Sequence, residues 1–346
     1  MFDIKQLSVP IIQAPMAGGV CTPKLVSAVA GAGGIGSFGF AYSTPERIGE
    51  DLKATRALTA GPINANFFVF SPVAMPDAPQ QDAAVSALKS LPAADVALST
   101  KPLSIPSAPF YMDLRQQLAP VWLHKPDILT FHFGIPDADI IEHAHSLGIL
   151  VGMTATCVAD ALAVEAAGAD FVVAQGIEAG GHRGVFEINA DDEQLSTLAL
   201  TTQLAKHCST PIVSAGAMMD GTDIRAALDA GATAAQLGTA FLCCDESGAS
   251  AAHKHYLLNE GDRGSVITKA FSGRPARGIN NTFIERMQNQ AILPFPIQNT
   301  LTGPIKSWAA KTDNGEYQSL WAGTEYRRVR AMPAADLMEV LRREMS

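Results

Sequence analysis

The chain has 346 residues, is 47% hydrophobic and only 17% charged, and carries a net charge of −9. The low charged share points to a sizeable core without a long disordered part. The acidic balance argues against a nucleic acid or an anionic membrane as partner. Cys21, Cys157, Cys208, Cys243 and Cys244 make an odd count without metal-ligand spacing, as in a reduced intracellular protein. The N-terminus lacks a signal-peptide core, and no apolar run approaches the ~20 residues of a membrane span. A soluble cytoplasmic protein is expected.

In chain order, short apolar runs alternate with amphipathic segments. The runs are 9–15, 33–40, 62–70, 128–134, 149–155, 171–176, 211–217 and 234–241. Each is bounded by Gly or Pro and apolar nearly throughout, the pattern of parallel strands buried on both faces. Between them, "TPKLVSAVAGAG" and "TPERIGEDLKA" open with Thr22–Pro23 and Thr44–Pro45, a cap followed by proline in the first helical turn. Gly148, Gly168 and Gly231 stand where later helices must turn off into the next strand.

Eight such units predict a (β/α)8 TIM barrel. A doubly wound sheet fits less well, because no strand leads into a GxGxxG fingerprint. Two stretches leave the repeat: a proline-rich insertion at about 71–127, and 248–319 with "FSGRPARGINN" and "LPFPIQNTLTGP". We expect a barrel over 1–247, a smaller substrate or cap domain over 248–319, and a C-terminal segment, 320–346, returning to the barrel's outside.

Barrel chemistry is built at the C-terminal ends of the strands. There Gln13, Asn66, Gln175 and Gln236 recur where an apolar run meets glycine, and they are expected to converge on one mouth as a neutral polar lining. After the last two runs, Gly216, Gly238 and Thr239 would offer backbone N–H groups and a hydroxyl to a phosphate. A flat polar ring with a phosphate tail suits both features, and FMN fits. His182 lies in "GIEAGGHRG" after the sixth run, where imidazole can exchange protons and glycines allow close approach. Arg183 is expected to point to solvent, and Glu178 to cap or pair locally. Cys243 and Cys244 read as buried, inert thiols. The histidines of "EHAHS" and "HKHY" lack an acidic ligand set, so no metal site is expected.

"PIIQAPMAGG", "NANFF", "VVAQGIEAGGHRG", "PIVSAGAM" and "AAQLGTAF", in this order, with "PIQNTLTGP" and "QSLWAG" later, resemble the nitronate monooxygenases, formerly called 2-nitropropane dioxygenases. The resemblance implies a flavin-dependent barrel with FMN contacts at Met16, Asn66, Gln175, Gly180, Gly181, Gly216, Ala217, Gln236, Leu237, Gly238 and Thr239. It makes His182 the active-site histidine and places Tyr111, Gln298 and Lys306 in the substrate pocket. It departs at Ala217, where many relatives carry glycine. The implied reaction is oxidation of alkyl nitronates such as propionate 3-nitronate by dioxygen, through a flavin semiquinone, to a carbonyl compound and nitrite. A homodimer is compatible with it. The rival readings are an NAD(P)H-dependent enoyl-acyl-carrier-protein reductase or quinone reductase on the same barrel, and a non-catalytic FMN-binding module. An inosine-monophosphate dehydrogenase likeness ranks low, since no cysteine lies in the loop after the sixth run.

Overall fold

The computed structural model describes residues 3–99, 101–188 and 190–346. All eight expected runs form strands: β1 (Ile11–Gln13), β2 (Gly36–Gly39), β3 (Ile63–Phe68), β4 (Ile128–His132), β5 (Leu150–Ala155), β6 (Phe171–Gln175), β8 (Ile212–Ala215) and β9 (Ala234–Leu237). Three shorter strands, β7 (Gly181–His182), β10 (Ser265–Thr268) and β11 (Ala276–Ile279), were not legible in the sequence. The eight long-expected strands are parallel, in the order β1-β9-β8-β6-β5-β4-β3-β2. A parallel bridge between Ile12 and Ile35 joins the two ends, so the sheet curls into a (β/α)8 barrel.

The helices follow from their caps and apolar faces. Thr22 accepts from Leu25 N at the start of α1 (Pro23–Gly31), and Thr44 from Arg47 N at α2 (Pro45–Arg56). Between β3 and β4 come α3 (Ala78–Lys89), α4 (Ala94–Ala97) and α5 (Leu114–His124). The outer ring continues with α6 (Ala138–Ser146), α7 (Val158–Ala166), α8 (Thr197–His207) and α9 (Gly221–Asp229). Gly148, Gly168 and Gly231 take φ of +76°, +90° and +105° after α6, α7 and α9, the left-handed turns their spacing predicts.

The two stretches that break the repeat pack on each other. Past β9 the chain forms α10 (Ala251–Asn259), β10, β11, α11 (Thr282–Met287), α12 (Ile297–Leu301) and α13 (Gly303–Lys311). Leu88 and Leu91 from the first insertion share a separate core with Phe271, Phe283, Ile297 and Leu301 from the second. The closing helix α14 (Ala334–Glu344) buries Leu337, Met338 and Leu341 with Leu25 and Ile224 on the barrel's outside. No helix of the described residues is long and apolar enough to cross a membrane.

One barrel turn is strained. After β8 the chain runs through Gly216 at φ +133° and Ala217 at φ +54°. The second value is left-handed, a region in which a Cβ costs roughly 1 kcal/mol. Ala217→Gly is therefore expected to stabilise the fold by about 0.5–1 kcal/mol, seen as a rise of ~1–3 °C in the thermal midpoint. No rise, or a fall, means that the methyl's packing outweighs the backbone strain.

Candidate active site

The loop after β6 is held by a buried arginine. Arg183 is only 1% exposed, so the expectation that it faces solvent is wrong. One terminal nitrogen donates to the carbonyls of Gln175 (2.8 Å) and Gly176 (3.0 Å), and the other, with Nε, forks onto Asp192 at 2.8 and 2.9 Å. A planar guanidinium can tie a strand end and a returning loop together in this way, where a lysine could not. The Gln175 side chain completes the clamp: its amide donates to His182 O (2.9 Å) and its carbonyl accepts from Gly184 N (2.7 Å). Glu178 does cap, but not locally: it accepts from Thr197 N and Oγ1 at the start of α8, nineteen residues on.

His182 is fixed further by β-pairing. It sits in β7, which pairs antiparallel with β11 in the register His182↔Ala276. A residue expected in a free glycine loop is thus half-buried in a small sheet spanning barrel and insertion. Its Nε2 lies 2.9 Å from Ser272 Oγ. Burial, with the cations Arg274 and Lys306 and the competing titration of His132 beside it, pushes the His182 pKa down to about 3. The imidazole is neutral at physiological pH.

Around this ring stands an aromatic wall. Phe295 and Trp321 each lie 5.6 Å from His182 between ring centroids, and Phe133 5.8 Å. Tyr111 joins through a stack: it lies flat on Phe70 at 4.4 Å, and Phe70 on Phe295 at 5.6 Å. Lys306 Nζ donates to Asn299 O and Oδ1, and burial lowers its pKa to about 8. A second histidine, His132 at the end of β4, also belongs here. Its Nε2 faces His182 O at 3.2 Å, and since a carbonyl only accepts, Nε2 carries the proton and Nδ1 the lone pair. His132 stood at a strand end in the sequence, the one signal that could have marked it. Ser272 and Arg274 had no such signal.

At the neighbouring mouth, the N–H groups of Gly216, Ala217 and Gly238 have no hydrogen-bond acceptor among the described residues. Gly238 has an ordinary φ of −103°, and an added Cβ would meet only Ala14 at 3.5 Å and Met16 Sδ at 3.9 Å. Neither backbone conformation nor crowding by the protein demands glycine there. Gly181 takes φ +76° with nothing near its missing Cβ. Gly180 differs: a Cβ would strike Ala322 C and Gly323 N at 2.6 Å, so its smallness lets the C-terminal segment pack. That segment reaches the same place, with Gly323 N donating to Thr239 Oγ1 at 3.0 Å.

The four amides do not all face the mouth. Gln13 is fully buried, accepting from Ser37 N at 3.0 Å and donating to Ala14 O, and Gln175 is engaged in the loop. Asn66 donates to Thr130 Oγ1 at 2.9 Å, while half-buried Gln236 has no side-chain partner among the described residues. Two further expectations need correction. Gln298 is wholly buried in the second core, its amide bonded to Ala270 O and Leu293 N at 3.0 Å each, so it lines no pocket. Leu237 packs its side chain into the barrel's outer core and gives its carbonyl to Ala14 N, leaving neither for a ligand. Burial raises the Cys243 and Cys244 thiols to about 11 and 12, in keeping with inert residues.

A neutral imidazole and a buried lysine beside a row of unpaired backbone donors, all at the C-terminal mouth of the barrel, define a small-molecule enzyme rather than a docking scaffold. The whole chain agrees with this. Residues 2–344 match the model of the family described as nitronate monooxygenase, and the chain belongs to that family of oxidoreductases. It is 42% identical over 345 residues to a nitronate monooxygenase of Paraburkholderia phytofirmans, covering 97% of this chain and 92% of that protein. It is 40% identical over 340 residues to one from Pseudomonas aeruginosa, at 97% and 96% coverage. A solved nitroalkane oxidase of Streptomyces ansochromogenes superposes with a TM-score of 0.90 at 38% identity, covering 98% and 96% of the two chains.

Arg183→Met should cost about 3 kcal/mol in unfolding free energy, because it removes the buried partner of a charge pair with Asp192 and leaves the Gln175 carbonyl without its donor. Chemical denaturation measures it. A loss under ~1 kcal/mol would mean the clamp contributes little.

Proposed function

We propose that this enzyme oxidises alkyl nitronates with dioxygen to a carbonyl compound and nitrite, using FMN. The reading rests on one juxtaposition: a neutral imidazole within an aromatic wall, beside loops whose backbone N–H groups lack partners. The donor set fits FMN. The free N–H groups of Gly216, Ala217 and Gly238, with Thr239, would hold a phosphate. Asn66, Gln236, Met16 and Gly181 would meet the ring, and Gln175 and Gly180 would act by shaping the loop beside it. When bound, FMN would supply electron transfer and reaction with dioxygen.

The chain's own part is to bind, orient and exclude water. His182 and Lys306 would hold the nitronate's oxygens, and Tyr111, Phe70 and Phe295 would keep the pocket dry. We take 248–319, packed on the 71–127 insertion, as the region that supplies Phe295 and Lys306 to the pocket, with Tyr111 coming from the insertion itself. The depressed basicity of His182 favours a preformed anion over a neutral nitroalkane. A group whose conjugate acid has a pKa near 3 is a poor acceptor for a carbon-bound proton, yet a sound hydrogen-bonding partner for an anion. The free thiols and acidic composition support a cytoplasmic setting.

The test is oxygen uptake by the purified yellow protein with propionate 3-nitronate and, separately, oxidation of NADPH. Uptake with nitronate and no NADPH oxidation is the expected result; the reverse moves the protein to the reductases. At equal FMN occupancy, His182→Asn should weaken nitronate binding by about ten- to a hundred-fold, the worth of a hydrogen bond to a charged group, while any turnover of neutral nitroalkane, for which the wild-type ring is already a poor base, should change little. A variant equal to wild type on both substrates would make His182 a loop residue.

Gly238→Leu should reduce FMN retention far more than thermal stability, because the side chain would occupy space the protein itself leaves open. Early melting with full FMN occupancy would make the glycine structural and refute the phosphate assignment.

A further inference from the structure

Arg274 lies between β10 and β11 and is 4% exposed. Its guanidinium carbon sits 3.7 Å above the Phe133 ring. One terminal nitrogen donates to Val185 O, while Nε is buried without a hydrogen-bond partner. No carboxylate of the described residues is within ion-pair distance; the acid that acts on it most is Glu187, on an exposed turn. A buried charge held without a counter-charge is strongly unfavourable, and proteins retain one where something else supplies the opposite charge.

What the cation faces is the active site. The Phe133 ring beneath it is 4.5 Å from His132 and 5.8 Å from His182 between centroids. The Arg274 backbone also holds Ser272, donating to its Oγ at 3.3 Å, and that Oγ is the atom beside His182 Nε2. The charged and titratable groups around His182 are His132 from β4, Lys306 from α13, Arg274, and Arg183 and Glu187 from its own loop, with Arg183 neutralised by Asp192. The balance is positive. Arg274 cannot touch a ligand without moving, so it acts through its field, across an apolar ring and in a low dielectric.

We propose that Arg274 is the electrostatic specificity determinant of this site, a permanent cation without its own carboxylate that makes the pocket prefer a planar anion to a neutral molecule of the same shape. This deepens the nitronate reading and rests on it for its biological use, but its test does not require turnover. A buried unit charge within about 10 Å of a ligand is worth roughly ten-fold or more in binding at an effective dielectric near 20. The same field adds to the burial that disfavours the imidazolium forms of His132 and His182, so one residue both attracts the anion and helps keep the ring beside it neutral.

The experiment titrates the FMN-loaded protein with nitrate, a planar anion, and with nitromethane, its neutral counterpart, following the flavin absorbance and tryptophan fluorescence. The titration is run at pH 9, above the Lys306 pKa of about 8 and below the Arg274 pKa of about 10, so that Arg274 is the main remaining cation. Wild type should bind nitrate at least ten-fold more tightly than nitromethane. Arg274→Met should bring that ratio close to one with nitromethane binding unchanged, and Arg274→Lys should retain most of it when assayed at pH 7. The proposal is overturned by a wild-type ratio near one, which needs no variant to fold. It is also overturned if Arg274→Met keeps the ratio, or if that variant loses both ligands alike, as a structural role would require. Should Arg274→Met fail to fold, Arg274→Gln, which keeps a donor for Val185 O, takes its place with the same outcomes. Nitrate selectivity without nitronate oxidation would refute the proposed reaction and leave the assignment of Arg274 standing.

Discussion

The site depends on one buried guanidinium. Arg183 binds the carbonyls that end β6 and the carboxylate of Asp192, and so turns a glycine-rich stretch into a fixed support for its neighbour, His182. Glycines alone would leave that stretch many conformations and a large entropy to lose. The clamp offsets this with charge-assisted bonds from a fully buried guanidinium to a partly exposed carboxylate. The Gln175 amide then bonds the loop on both sides of Arg183, at His182 O and Gly184 N. An arginine at this place is more than a polar end to a motif: it is why the imidazole has one position.

From that anchor the two parts of the molecule become interdependent. β7 pairs with β11, so the histidine's backbone is shared between the barrel and the second insertion. The C-terminal segment adds a second tie. Gly323 bonds Thr239 at the β9 loop, and Trp321, two residues earlier, stands against His182. The loop after β9 and the imidazole are thereby linked through a short stretch of backbone that can do this only because Gly180 has no side chain. Disturbing any of the three contacts should be felt at the other two.

Much of the barrel was legible because strands buried on both faces leave an unmistakable trace, here apolar runs of six to nine residues stopped by Gly or Pro. Thr22 and Thr44 were legible as caps for an equally local reason. The misses are long-range. β7 has two residues and no periodicity, and its partner lies more than ninety positions away, so nothing nearby announces a strand. Arg183 was misread because most arginines stay in water, and its acid partner, nine residues on, sits in an irregular loop. The amides were judged by position alone. Whether Gln13 and Gln175 serve the fold or a ligand is decided by neighbours that only the folded chain supplies.

The electrostatics give the site its direction. Desolvation already disfavours protonation of His132 and His182, and the cations around them add to it. A ring held neutral in this way keeps its lone pair across the physiological range, but it is weak as a base. An incoming anion changes the balance, since its charge offsets the cations and raises the basicity of the imidazole beside it. A seated anion therefore restores the part of the imidazole's basicity that the cations remove, while burial continues to hold it down. A neutral ligand would leave the cations uncompensated and the histidine inert. In this arrangement binding and proton chemistry are selected together, by charges the ligand itself must complete.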